Sequence, residues 1–293
     1  MINTFLKYKM KHYKDKKFTI NDIDKSQKIL FSIFTRYGDT IINLIIIKEF
    51  ILKYHTKKYL ILCPEQMLPY VKKILPNIKV IGLNKRNIFK FLEVTKLLKK
   101  EKFDIGFNPW SNGLDSCYFI SFCKKFLCYK KFTKPKIVNH YNIVRKYLKL
   151  PEKNWSIHNI SLKKEYKHIL ICPESTDKYR SISKETTTKL IKQLKEKYNN
   201  AHFTIASIDM NYKIKEHSYF HLKKTKESSE NFLNIIENVD LTVCVDSGPL
   251  HIMIGLNKDT IAIFNSTNKE TVINTHSRIK VFQKNSMLKV DLW

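Results

Sequence analysis

Short apolar runs alternate with amphipathic stretches of helical length along this chain, and the alternation stops once and then restarts. The first series has apolar runs at 28–34 (KILFSIF), 58–63, 79–82 and 103–107, with helical stretches at 39–54, 66–75 and 87–101 between them. After the loop 108–113 (NPWSNG), an apolar helix runs to about 128, and a strand at 136–139 closes the set. Periodicity then fades over 148–166 and resumes with strands at 168–172, 202–206, 241–245 and 260–264, interleaved with helices at 183–198, 228–237 and 249–256. Strand–helix alternation of this kind implies parallel sheets wound by right-handed crossovers. The expected organisation is a basic N-terminal arm, or a short surface helix, over 1–27, a Rossmann-like domain over 28–150 and a second over 151–293. In such sheets ligands bind beyond the carboxyl ends of the strands, and those loops hold the residues to inspect.

Composition narrows the class. A hydrophobic content of 43% with 12% aromatics excludes a disordered chain. With only 6 Gly and 8 Pro, linkers are scarce and each glycine is expected where the backbone needs one. None of the six cysteines forms a CxxC pair, so neither zinc nor a redox motif is indicated. The N-terminus lacks an apolar signal core, and the most apolar run, 41–52, is short and broken by Asn43, Lys48 and Glu49. A reduced cytoplasmic protein is expected, touching a membrane surface without crossing it. The formal charge of +28 has two readings: a lysine-rich dialect, or a field that attracts an anion such as nucleic acid, phospholipid or phosphorylated glycan. The Lys- and aromatic-rich segment 1–17 is either a surface contact or a free basic tail.

The most informative segment is 241–267, LTVCVDSGPLHIMIGLNKDTIAIFNST. A buried strand ends in Asp246, and Ser247, Gly248 and Pro249 lead into a helix whose first turn carries His251. Ser suits the N-cap and Pro the first helical turn, while Gly248 admits a ligand close to the backbone. The free N–H groups and helix dipole there suit a diphosphate, and Asp246 is placed to accept hydrogen bonds from sugar hydroxyls. An ordinary capped turn explains the same residues equally well.

Three stretches together resemble glycosyltransferase family 9, the ADP-heptose:lipopolysaccharide heptosyltransferases. VDSGPLHIMIGLNKDTIAIFNST is similar to that family's strand, Asp-Ser/Thr-Gly-Pro-x-His turn, apolar helix and following strand. KILFSIFTRYGDTIINLIIIKEFI resembles its opening strand, Gly-Asp turn and first helix, and ICPESTDKYRSISKETTTKLIKQL the start of its second domain. The resemblance implies a GT-B architecture, with two Rossmann-like domains facing across an interdomain cleft. It implies an inverting, metal-independent transferase that moves a heptose from ADP-heptose to the inner core of lipopolysaccharide. ADP-heptose is then a co-substrate, with no further cofactor and no metal site.

By the same resemblance Asp39 is the catalytic base, with Arg36 and Gly38 beside it as acceptor-binding residues. A carboxylate that takes the attacking hydroxyl's proton is what inversion requires. A plain helix N-cap remains the other explanation for Asp39, and a surface cation the other for Arg36. Ser175, Thr176 and Arg180 match donor-binding positions along with Asp246, Ser247, Gly248, Pro249 and His251. Arg180 stands where the family usually has Lys, and Lys178 competes for that role because one sequence leaves the loop's register open.

The implied partners are the nucleotide-sugar donor, an anionic lipopolysaccharide-core acceptor and the inner face of the inner membrane, where the enzyme is expected as a peripheral protein. Asn265 departs from the family's Gly, and SIDMN follows the 202–206 strand in place of a Gly-rich turn, so the nucleotide base has no assigned contacts. The segment after Thr267 shows no clear final helix. P-loop, GxGxxG, HExxH and GxSxG patterns are all absent, and the one Asp-x-Asp match, Asp22-Ile23-Asp24, lies in the basic N-terminal segment away from the strand ends. One alternative keeps the fold and mechanism with another nucleotide-sugar and surface glycan. From another class, a basic nucleic-acid-binding protein would show an RRM or GxxG signature; none occurs, and no nucleic-acid partner is expected.

Overall fold

The computed structural model describes residues 2–11, 14–111, 113–136, 139–154, 160–212, 214, 217–272 and 278–283. The chain divides into two compact units, Met1–Lys153 and Asn154–Trp293. No helix among the described residues is long and apolar enough to cross a membrane.

The first unit opens with helices α1 (Ile2–Lys11) and α2 (Ile20–Lys25). Then follow β1 (Lys28–Ser32), α3 (Tyr37–Lys53), β2 (Lys58–Pro64), α4 (Leu68–Ile74), β3 (Lys79–Leu83), α5 (Ile88–Glu101), β4 (Ile105–Phe107), α6 (Leu114–Ile120), β5 (Lys125–Phe126) and α7 (His140–Tyr147). Every pairing in the sheet is parallel, in the order β3-β2-β1-β4-β5. Strand order reverses between β1 and β4, which brings the loops after these two strands side by side at the sheet's carboxyl edge.

The N-terminal segment is not a free arm. Leu6 and Met10 of α1 join the core cluster that contains Phe91, Tyr118 and Phe119, and Ile23 of α2 is fully buried. Phe18 sets its ring edge-on against Phe107 at 4.8 Å. A free basic segment would leave these side chains in water; burial of each stabilises by about 1.5–3 kcal/mol. Helix α1 lies over α6, whose residues 115–120 are all buried. That helix stops at Ile120, short of the expected 128, because the chain turns back into β5 and Phe126 N–H donates to the Lys16 carbonyl at 2.7 Å. Gly106 makes the close packing possible: a Cβ there would sit 2.7 Å from Ile120 Cβ and 2.8 Å from Cys123 Sγ. The strand expected over 136–139 falls partly outside the described residues, and neither Lys136 nor Asn139 lies in a strand. Asn139 instead caps α7, its Oδ1 accepting from the N–H groups of Tyr141 and Asn142.

An ion cluster ties the end of this unit to α3. Glu49 accepts from Lys153 Nζ at 2.9 Å and from the guanidinium of Arg145, which is 3% exposed. Arg145 Nε also donates to the Pro151 carbonyl at 2.6 Å. Burial works against charge on Glu49, but Lys153 and Arg145 outweigh it and hold the carboxyl below its ordinary value of 4.5. A carboxyl depressed by folding stabilises above its unfolded pKa, and that stabilisation is lost as pH falls through the folded one. Glu49→Gln is therefore expected to cost about 3 kcal/mol at pH 7, because it strands a buried guanidinium. In thermal melts the gap between variant and wild type should close as the medium is acidified below pH 4.5. A constant gap would mean that the Glu49 charge is not what stabilises.

The second unit contains β6 (His168–Cys172), α8 (Lys184–Lys197), β7 (His202–Ser207), β8 (Ser218–His221), α9 (Lys226–Glu237), β9 (Leu241–Val245), α10 (Gly248–Gly255), β10 (Thr260–Phe264) and β11 (Ile279–Gln283). Its sheet is also parallel, ordered β11-β10-β9-β6-β7-β8. Strands β9 and β10 are buried throughout, and Ser183 and Thr225 cap α8 and α9 through their side chains. All six cysteines are buried and none forms a disulfide.

Candidate functional site

The carboxyl ends of β6, β9 and β10 bring one polar cluster together. Asp246 follows β9 and is 1% exposed. Arg180 reaches it from the loop after β6, with a guanidinium nitrogen 3.2 Å from Oδ2. Asp177 caps the short 3-10 turn Lys178–Arg180 and accepts from Arg180 Nε at 3.3 Å, which holds the guanidinium toward Asp246. Lys178, the competing cation, is exposed. His251 places Nε2 3.7 Å from Asp246 Oδ1, and its buried Nδ1 has no hydrogen-bond partner among the described residues. Burial favours the neutral form of Asp246. His251, then Thr267 and Arg180, outweigh that and hold the carboxyl below the usual aspartate range.

Ser247 occupies the N-cap position of α10 without capping it, since its hydroxyl donates back to the Val245 carbonyl at 3.1 Å. The start of α10 is left with no side-chain cap and with Pro249 in its first turn. Gly248 is the first residue of the helix. An uncapped helix start beside an arginine is a favourable setting for an anion. Ser175 lies in the loop after β6, where its N–H donates to Ser181 Oγ at 2.9 Å, and Thr176 next to it is exposed.

Three contributors escape a motif search. Asn265 donates to the carbonyls of Arg180 and Ser181, so the residue that departs from the family pattern staples the arginine loop to the end of β10. Asp177 aims the arginine, and Thr267 hydrogen-bonds Asp246. Their signal was the density of short polar residues at strand ends, which does not tell one partner from another. Among the described residues, no group of three or more His, Cys, Asp or Glu is placed to hold a metal ion.

In the first unit, Asp39 is not the N-cap. Helix α3 starts at Tyr37 with Arg36 in the cap position, which puts Asp39 third in the first turn, half-buried. Tyr37 and Gly38 are accordingly helical, and no glycine among the described residues has a positive φ. Arg36 is exposed. The loop after β4 docks on α3 through Asn43 Nδ2, which donates to the Pro109 carbonyl at 2.9 Å. Trp110 in that loop has φ 47°, a left-handed conformation strained for a bulky residue. The buried Tyr129 hydroxyl has no hydrogen-bond partner among the described residues. Burial, then the negative charge of Asp39, push its phenol well up.

Residues 131–289, more than half of the chain, match the model of glycosyltransferase family 9 (heptosyltransferase). The chain belongs to this family of glycosyltransferases. Among solved structures it is similar to E. coli ADP-heptose lps heptosyltransferase II, with 14% identity over 89% of this chain and 92% of that one and a TM-score of 0.64. A glycosyl transferase family 9 protein from Veillonella parvula DSM 2008 is 13% identical over 88% and 86% of the two chains, with a TM-score of 0.66. E. coli heptosyltransferase WaaC with ADP is 12% identical over 88% and 94%, with a TM-score of 0.63. At these identities the likeness is one of fold: two parallel α/β units matching the GT-B heptosyltransferases. None of the curated proteins compared matches the chain.

Proposed function

We propose that this glycosyltransferase moves a heptose from ADP-heptose to the inner core of lipopolysaccharide, with inversion and without a metal. The observation that carries the reading is the Arg180–Asp246–His251 cluster beside the uncapped start of α10. On it, Ser175, Thr176, Arg180, Ser247, Gly248, Pro249 and His251 hold the donor. The α10 N–H groups and Arg180 neutralise the departing diphosphate in place of a metal ion. Asp246 orients Arg180 and accepts from sugar hydroxyls. Asp39 takes the acceptor hydroxyl's proton, with Arg36 and Gly38 at the acceptor. The similar fold of WaaC, whose structure holds ADP, supports the choice of nucleotide. An acceptor anchored in a bilayer, together with the charge of +28, supports a peripheral place on the inner face of the inner membrane.

One feature favours a second donor. Asn265 fills the place of a family glycine and shapes the Arg180 loop, which fits a different nucleotide-activated sugar on the same machinery. Calorimetric titration with ADP, UDP, GDP and CMP in EDTA separates the two. Tight binding of ADP alone is the expected result. Preference for another nucleotide would remove heptose as the sugar, and a strict need for added metal would remove the metal-free mechanism.

A further inference from the structure

We propose that α1 and α5 together form a docking face for an anionic lipid bilayer. Half of the exposed large apolar side chains among the described residues fall on these two helices: Phe5 and Tyr8 on α1, and Ile88, Phe89 and Leu92 on α5. Phe89 is 87% exposed and Leu92 51%, although two residues on from each, across the helix, Phe91 and Val94 are buried. The helix thus has two apolar faces, and the core needs only one.

The two helices share one side of the first unit. The Tyr118 ring stacks on Phe91 of α5 at 5.5 Å and meets the edge of Phe5 of α1 at 5.8 Å. A single ring therefore lies between the α1 and α5 contributions. Exposed cations interleave with the apolar residues: Lys7 and Lys9 on α1, Arg86 just before α5, and Lys96 on it. Aromatic and aliphatic side chains among lysines and arginine are the chemistry of an interfacial surface, where rings enter the headgroup boundary and cations meet anionic lipid. A second copy of the chain is the poorer occupant, because two molecules of +28 repel.

The proposal rests on the reading above only in that an acceptor held in a bilayer requires the enzyme to reach one. Its test uses neither donor nor acceptor, so failure to bind vesicles and failure to transfer sugar are separate results. Purified full-length protein is sedimented with vesicles of phosphatidylethanolamine and phosphatidylglycerol, and with vesicles of phosphatidylcholine alone. Wild type is expected to partition onto the anionic vesicles, less so as salt is raised. Phe89→Glu should lower that partition by about tenfold, and Lys7→Glu with Lys9→Glu should lower it for anionic vesicles only. Leu52→Glu is the control, an exposed apolar position on α3, and should bind as wild type. Unchanged ADP affinity and melting temperature for Phe89→Glu would establish that the variant is folded. Equal binding by Phe89→Glu and wild type would overturn the proposal. So would absence of wild-type binding, or a concentration-dependent dimer that Phe89→Glu abolishes.

Discussion

Asp39→Asn is expected to lower kcat by about 10²–10⁴ while leaving ADP affinity within twofold. The asparagine keeps the size of the side chain and its place in the first turn of α3, so the change removes the base and little else. Position three of a helix also favours a negative charge, through the dipole and the unpaired N–H groups of the first turn. Tyr129 adds a neutral hydroxyl nearby: burial and the Asp39 charge push its phenol up, so it stays protonated at neutral pH and offers a donor with no partner among the described residues. ADP affinity should persist because the residues proposed to hold the nucleotide all lie between 175 and 251, in the second unit. Single-turnover transfer and calorimetry on the same preparation check both halves. Normal turnover in the variant would place the base elsewhere, and a parallel collapse of ADP binding would mean that the substitution disturbs the fold.

The alternation of apolar runs was enough to read most of the architecture. Buried parallel strands such as 241–245 and 260–264 are continuous apolar segments, and their ends are marked by polar residues. The elements that escaped notice are those with weak or mixed patterns. β8 (SYFH) is only half-buried, as an edge strand of its sheet, and α7 (HYNIVRKY) buries the polar Asn142 and Arg145, each with specific partners, alongside Tyr141, Val144 and Tyr147. Segment 1–27 read as an arm because Leu6, Met10, Phe18 and Ile23 are isolated among lysines, and only the tertiary fold shows what each one meets.

The site divides in the same way. The DSGP turn is local, and its order along the chain carries it. Which of Lys178 and Arg180 turns inward is not local: it depends on Asp177 capping its own turn and on Asn265, more than eighty residues away, holding the loop. Asp39 read as a cap because Asp is favoured there, but the helix begins two residues earlier.

Arg180→Ala should reduce kcat by about 10²–10³ and weaken ADP, since it removes the cation proposed to meet the diphosphate. Arg180→Lys should recover part of the loss, as a point charge without the two-pronged geometry that reaches Asp177 and Asp246 together. Asp246→Ala is expected to cost at least as much, although a buried carboxylate in an anion site repels the ligand at first sight. At 1% exposure, Asp246 is held in its charged form by His251, Thr267 and Arg180, and removing it takes from the guanidinium one of its two carboxylates and from the buried imidazole the carboxylate beside Nε2. If Asp246 acts by positioning Arg180, the two losses are one loss counted twice. The double variant Arg180→Ala/Asp246→Ala should then be about as slow as the worse single variant. Losses that multiply would show that Asp246 works on the sugar independently of Arg180. A faster Asp246→Ala enzyme would show that the carboxylate merely opposes the donor.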